Sequence, residues 1–553
     1  MGRYKHLRLI ALLWLIALHS IKLNAQKVDD EVISALDNIE YSYFFKHIKY
    51  LASDELKGRG IGSIEYEKAA NYVAGEFSKN GLLPYGDSET YFQEVKLSKS
   101  SIKKGSFQLQ VEKNSKSITA EYGSNVSVVI SPKYETINEK QDIVFVGYGN
   151  IVPDENINDY EGVNVKGKTV IVALGGPKGI KNPAFGDRQA KFDNAMAQGA
   201  NGIILFYPKA GIFQNIIFKI VHGFLSKKML SLADTSIKAS IVDVDLKLAV
   251  FAKKSFVRQI FKINGLSLRK ELRNISKGKS SSKELASVIN CSYKVNKDSI
   301  ISKNVVALLP GSDANLKNEY VVLGSHLDGL GIGKAKKGDS IYNGMLDNAS
   351  GSSALLSIAK TFHNLSKKPK RSILFICYTA EESGLLGSNY FANRNNIADG
   401  KIVANINIDM LSQTIETTDM APLGYSHSNL SVAVDFAADL LSLKIDDNKQ
   451  AEIDYMERSD QISFIKKGIP ALFIAGGNTS VDHRKNGKKV FDKWMKKKYH
   501  SPFDDLNQEY SDKAFLTAIK FNFLITYHIS NFLDEIKWNK DGWLYKKYVL
   551  GTQ

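Results

Sequence analysis

Apolar and polar positions along the chain fall into two regimes. From about residue 285 onward, the stretches 305–309, 320–324, 373–378, 402–408 and 471–474 are nearly continuous apolar runs. Strands buried on both faces read this way. Between them, helices are expected at about 352–365, 430–443, 459–467 and 512–532. The alternation predicts an α/β domain with a largely parallel sheet, whose ligands bind beyond the carboxyl ends of the strands. The chain before residue 120 begins with helical periodicity. Ile33, Leu36, Ile39, Tyr43 and His47 recur at helix spacing, a loop follows over 51–60, and a second amphipathic helix is expected over 64–79 with Gly81 as its cap. From about 121 to 284 short strands are expected at 126–130, 143–147, 169–174 and 202–206, with a helix near 193–198. This middle stretch has no cluster of His, Cys, Asp and Glu at ligand spacing.

The resulting division is 1–25 as an export signal, 26–120 as the first part of a catalytic domain, 121–284 as an insert and 285–553 as the rest of that domain. Arg3, Lys5 and Arg8 precede the apolar run 9–18, and Ala25 offers a small residue for cleavage. This is the layout of a secretory signal peptide, with an apolar run too short to span a bilayer. No later segment reaches the length of a membrane span; the nearest, 211–225, is interrupted by Gln214, Lys219 and His222. The expectation is an exported protein, periplasmic or extracellular, without a stable membrane span.

Composition narrows the class without naming a function. With 43% hydrophobic and 24% charged residues, the 553-residue chain is an ordinary globular protein. Its net charge is +16, or +12 without residues 1–25, which carry four cations and no acid. The lysines are scattered, as at 103–104, 488–489 and 496–498, and no basic helix is interleaved with aromatics. This reads as a solvated surface, with no nucleic-acid partner. Cys291 and Cys377 each lie in an expected strand and read as inert thiols.

Five polar groups fall at or near strand ends. Ser325-His326-Leu327-Asp328 follows the run 320–324, where His326 offers an imidazole and Asp328 a carboxylate to orient it; alone, it reads equally as a surface loop. Asp347, in Leu-Asp-Asn-Ala-Ser-Gly, presents a carboxylate or begins an N-cap turn. Glu381 and Glu382 follow the run 373–378 and otherwise read as acids complementing a helix dipole. Asp409 ends the run 402–408, where an acid needs a partner. His500, in Tyr-His-Ser-Pro-Phe-Asp, otherwise reads as a loop histidine. Taken together, two histidines and three carboxylates suit two Zn²⁺ with one carboxylate bridging. Two Zn²⁺, three carboxylates and one hydroxide are neutral in sum, and one acid remains for proton transfer.

In order and spacing these motifs resemble the co-catalytic di-zinc aminopeptidase family, which includes secreted bacterial leucyl aminopeptidases, glutamate carboxypeptidase II and the transferrin receptor. The similarity extends to Leu-Ala-Ser-Asp-Glu-Leu-Lys-Gly-Arg at 51–59 and Tyr-Phe-Gln at 91–93. Residues 144–149 and 165–170 resemble a protease-associated domain, implying a mainly-β insert in a zinc-exopeptidase-like fold. The resemblance implies that Asp347 bridges two zincs, one also held by His326 and Asp409 and the other by Glu382 and His500. It further implies Glu381 as the general base acting on a metal-bridging water, Asp328 holding the imidazole of His326, a cis peptide after Asp347, and peptide substrates.

Co²⁺ or Mn²⁺ suit such ligands as well. His483 is the competing candidate for the last ligand. Gln461 and Met345 depart from the family pattern, where many relatives carry histidine and a small residue. His47, His222, His363, His427 and His528 read as core or surface histidines. Other readings are a carboxypeptidase or dipeptidase of the same fold, a glutaminyl cyclase, and an inactive receptor-like binding protein. The sequence leaves the oligomeric state and the preferred N-terminal residue open.

Overall fold

A computed structural model describes residues 30–180, 185–209, 213–238, 244–395, 397, 400–411, 414–447, 449–482, 484–531 and 535–550. The expected export signal and His483 lie outside these residues. Four strands form the centre of the main sheet in the order Ser372–Tyr378, Glu319–His326, Lys401–Asn407, Ala471–Gly476, all parallel. The end of the strand Lys283–Leu309 runs antiparallel to Ser372–Tyr378 on one side. Asp419–Leu423 runs antiparallel to Ala471–Gly476 on the other. The mixed, largely parallel sheet is thus the one the apolar runs predict.

The unbroken runs arise because both faces are covered. Val305, Ala307, Val321, Leu323, Ile373, Phe375, Ala404 and Ile406 pack into one core. That core includes residues of the helices Tyr41–Leu51, Ile64–Lys79, Ser350–His363 and Asp512–Asn531. The alternate residues Val306, Val322, Leu374, Ile376 and Tyr378 join Phe391 and Phe464 in a second core. With a side-chain period of two, neither face can be polar.

Helix Ile64–Lys79 matches its expected bounds, because Ser63 accepts the Tyr66 amide at 3.1 Å as its N-cap and Gly81 adopts φ +69° beyond its end. The periodicity expected across 33–47 is split between two helices, Asp30–Asp37 and Tyr41–Leu51.

The strand Lys283–Leu309 is far longer than the run 305–309 suggests. Its second half pairs with Phe92–Ile102 in the main sheet, and its first half pairs with Gln108–Lys113 and Thr136–Phe145 in the sheet of the insert. One strand therefore belongs to both sheets. Strands Gln108–Lys113 and Lys116–Ala120 pair with each other in the insert's sheet, although both precede residue 121. Thr136–Phe145, Thr169–Ala173, Gly202–Phe206 and Leu248–Ala252 are parallel neighbours. Helices Arg188–Ala197, Gln214–Leu225, Lys254–Ile263 and Leu268–Ile275 accompany them. The insert is richer in helix than a mainly-β module. Among the described residues no helix is long and apolar enough to cross a membrane. Cys291 and Cys377 are buried and free.

The helix Ser350–His363 lies against the strand ends through Gly351. A Cβ there would come within 2.5 Å of the Ile408 carbonyl oxygen, so the helix approaches the 408–409 turn more closely than a side chain allows. Gly351→Ala should lower unfolding stability by about 1–3 kcal/mol, read from the urea midpoint.

Candidate metal centre

The carboxyl ends of three parallel strands deliver three groups to one edge of the sheet. His326 is the last residue of Glu319–His326, Asp409 lies two residues beyond Lys401–Asn407, and Glu381–Glu382 lie three and four beyond Ser372–Tyr378. Asp347 comes from the turn before Ser350–His363, and it is not that helix's cap: Ala349 occupies the N-cap position. The Asp347–Asn348 peptide is cis. His500 follows helix Gly487–Lys497 and stacks on Tyr499 with ring centroids 3.8 Å apart. Ala380, Met410 and His500 all adopt left-handed backbone, with φ of 57°, 54° and 51°. Non-glycine residues held in this region cluster where a fold aims functional side chains.

The geometry forms two triads sharing one carboxylate. His326 Nε2 is 3.2 Å from Asp347 Oδ1 and 3.3 Å from Asp409 Oδ1. His500 Nε2 is 3.3 Å from Asp347 Oδ2 and 3.1 Å from Glu382 Oε2. Each oxygen of Asp347 thus faces a different imidazole. In each triad the candidate donor atoms lie within 4.8 Å of one another. Four ligands around a tetrahedral zinc at ~2.0–2.1 Å are separated from each other by about 3.3 Å, so these nitrogen–oxygen separations match the edges of such a polyhedron. The nitrogen and oxygen donor set fits zinc.

Adjacent polar residues lock these strand ends to one another. His326 Nδ1 faces the main-chain carbonyl of Asp328 at 3.1 Å; an N–H there leaves Nε2 free as a donor toward the triad. The Asp328 carboxylate is 3.9 Å from that ring and instead accepts the amides of Glu381 at 3.0 Å and Glu382 at 3.3 Å. Asp328 therefore orients the imidazole through its backbone, while its side chain positions the two glutamates.

Asp504 plays the matching part for Asp347, accepting the amides of Leu346 at 2.9 Å and Asp347 at 3.0 Å. Asn348 Nδ2 donates to the Ile408 carbonyl at 2.9 Å, and its Oδ1 accepts the Met410 amide at 3.2 Å. Ser459 Oγ donates to Asp409 Oδ2 at 2.7 Å. Arg59 is wholly buried: Nε donates to the Leu327 carbonyl at 2.8 Å, Nη1 to those of Asn343 at 2.7 Å and Leu51, and Nη2 to that of Gly344 at 3.1 Å. One guanidinium joins the His326 loop to the Asp347 loop.

Asp504 and Arg59 belong to motifs legible in the sequence, but nothing local tells what they bond, because their partners are main-chain groups distant in sequence. Asp460 has no such signal. Its carboxylate is wholly buried, and burial pushes it up to about 7 although Ser388 and His326 nearby favour its charge. Gln461 is buried with its Oε1 accepting from Asn407 Nδ2 at 2.9 Å, and it braces the strand end. Met345 is buried, with its sulfur 3.3 Å from Gln508 Nε2.

Crowded acids set the proton inventory. Burial and the Asp347 charge push Glu382 up to about 7. Burial, with Asp409, Glu382 and Asp460 nearby, holds Glu381 well above the usual carboxylate range despite the opposing charge of His326. Burial opposes charge on His500, but its hydrogen bonds to Asp347 and Glu382 prevail and raise it to about 10. His326 is raised in the same way: its burial is outweighed by Glu381, Asp409 and Asp347. Asp347 is lowered despite burial because both imidazoles bond to it.

A metal entering this site must displace those protons. Zinc affinity should therefore fall steeply as the pH drops below about 10, because His326 and His500, both raised, must each lose a proton to bind metal. Below pH 7 Glu382 adds a further proton and the fall should steepen again; chelator competition at stepped pH measures it. Asp504→Asn removes one acceptor from the turn behind Asp347 and should weaken zinc binding by about 10–100-fold. Arg59→Met removes the guanidinium donor from the buried carbonyls of Leu51, Leu327 and Asn343 and should cost more than about 3 kcal/mol, seen as a lowered thermal midpoint.

Residues 304–525 match the model of peptidase family M28. Aminopeptidase Y of Saccharomyces cerevisiae is 29% identical over 244 residues, covering 43% of this chain and 40% of its own length. A probable leucine aminopeptidase 2 of Arthroderma benhamiae is 30% identical over 173 residues, covering 30% of this chain and 32% of its own. The chain thus spans about a third to two fifths of the length of these curated relatives. Among solved structures, an aminopeptidase from Aneurinibacillus sp. strain AM-1 aligns with TM-score 0.49 and 19% identity, covering 89% of this chain and 94% of that one. A zinc aminopeptidase from Bacillus subtilis aligns with TM-score 0.41 and 15% identity, covering 89% and 95%. The stretch that matches this family's model holds every residue of both triads.

Proposed function

We propose that the protein is an exported zinc-dependent aminopeptidase that removes N-terminal residues from peptides. In this reading His326, Asp347 and Asp409 hold one Zn²⁺, and Asp347, Glu382 and His500 hold a second. The observation that carries it is Asp347, whose two carboxylate oxygens each lie 3.2–3.3 Å from a different imidazole. When bound, two Zn²⁺ would acidify a water and polarise the scissile carbonyl.

Glu381 is the proton carrier. It is not needed in either triad, and it follows a strand end beside them. Its carboxylate takes a proton from the attacking water and passes it to the departing amine nitrogen. The amide-bonded Asp328 carboxylate fixes the Glu381–Glu382 backbone, so one glutamate reaches the donor set while its neighbour stays free for that transfer.

The polarity of cleavage is supported by the relatives. The names of the matched proteins, aminopeptidase Y and leucine aminopeptidase 2, agree with that polarity. Export rests on the apolar run 9–18 behind its three cations. The insert is read as a protease-associated domain on motifs 144–149 and 165–170, which fall at the end of strand Thr136–Phe145 and the start of Thr169–Ala173.

Cleavage of a peptide panel with free, acetylated and C-terminally amidated ends tests the proposal. Only peptides with a free N-terminus should be cut, and amidation should be harmless. A requirement for a free C-terminus would overturn the polarity, and no cleavage at all would favour a binding protein. Glu381→Ala should keep two zinc per chain by metal analysis while turnover falls at least about a hundredfold. Unchanged turnover would remove Glu381 from the mechanism.

A further inference from the structure

The insert carries an amphipathic helix turned the unusual way round. Helix Gln214–Leu225 buries one stripe against the insert, where Phe218 is 2% exposed and stacks on Phe251 at 6.2 Å. His222 Nδ1 lies 3.0 Å from Ser127 Oγ on the same side. Its outer stripe is also apolar: Phe213, Ile216, Ile220 and Phe224 are 60%, 57%, 68% and 76% exposed. Their spacing of three, four and four residues aligns them along one face. Large apolar side chains exposed as a contiguous row mark a binding surface rather than ordinary surface scatter.

The charge around this row identifies what it meets. Residues 207–233 contain Lys209, Lys219, Lys227 and Lys228 and no Asp or Glu. Lys228 pairs with Asp298 at 3.4 Å. Lys209, Lys219 and Lys227 are exposed and have no ion pair among the described residues. A protruding helix with an apolar row and unpaired lysines is complementary to an anionic bilayer, with side chains entering the acyl boundary and cations at the headgroup phosphates. A second copy of this chain would set lysines against lysines on a protein of net charge +16. We propose that helix Gln214–Leu225 docks the protein on the surface of a membrane rich in anionic phospholipid, without spanning it.

The surface is joined firmly to the catalytic domain. Directly after the helix, strand Met229–Leu232 pairs antiparallel with Phe92–Ile102 of the main sheet. Leu232 and Ile237 pack with Ala380 and Leu386, on either side of Glu381–Glu382. The segment that follows the helix is therefore packed directly against the backbone that carries Glu381 and Glu382.

A label at the outer stripe tests this on the full chain. Cys291 and Cys377 are 3% and 0% exposed, so Phe224→Cys provides a thiol that an environment-sensitive fluorophore can reach selectively. Its emission should shift to the blue on phosphatidylglycerol vesicles, be quenched by brominated acyl chains, and respond little to phosphatidylcholine vesicles. Adding Lys219→Glu and Lys227→Glu should weaken partitioning about tenfold or more, with peptidase turnover in solution unchanged. No shift on phosphatidylglycerol overturns the proposal. A shift that needs only higher protein concentration, or only an apolar peptide, also overturns it in favour of a second copy or a peptide at this helix.

Discussion

Holding like charges together is the constraint on which the rest of the site depends. Asp347, Glu381, Glu382 and Asp409 converge with two imidazoles at one sheet edge, and Asp328, Asp460 and Asp504 are buried beside them. Such a gathering repels itself and loses its hydration. The fold compensates in three ways: imidazoles between the carboxylates, main-chain amides donated to Asp328 and Asp504, and the Arg59 guanidinium behind the Asp347 loop. In the proposed reading two divalent cations would complete the balance, which favours metal chemistry over a structural ion-pair network.

The backbone shares that burden. Left-handed residues at 380, 410 and 500 turn the chain just beside Glu381, Asp409 and His500, and each strained turn is held by bonds to a neighbouring loop. Asn348 spans from the Asp347 turn to the 408–410 turn, Asp504 from the His500 loop to the Asp347 turn, and Asp328 from the His326 loop to the glutamates. Neighbouring loops hold one another in this way, so the precision of the donor atoms comes from mutual bracing. The shared strand Lys283–Leu309 extends this rigidity to the insert, whose orientation follows from the continuous pairing of one strand in two sheets.

The legible part of the site was the part written as side chains of unusual type in apolar settings. His326 directly after one apolar run, Asp409 at the end of another and Glu381–Glu382 just beyond a third stand out because burial penalises them unless they are partnered. The sheet centre was legible for the same reason, since strands covered on both faces leave no room for alternation. Less was legible where the partner is backbone. Asp328 reads as an acid placed to hold an imidazole, yet its carboxylate bonds two amides about fifty residues away. Arg59 reads as one cation in a loop, yet it is enclosed by the carbonyls of Leu51, Leu327 and Asn343.

By itself the sequence determined which polar residues gather at one sheet edge, which runs are buried strands, and that the middle stretch lacks a ligand cluster. These follow from local composition, because the cost of burying a charge and the period of a strand are properties of a short segment. Only the tertiary structure decided that Asp347 turns one oxygen to each imidazole, that a single strand serves two sheets, and that helix Gln214–Leu225 leaves an apolar row uncovered. Each depends on which distant segments become neighbours, and that is set by the packing of the whole chain.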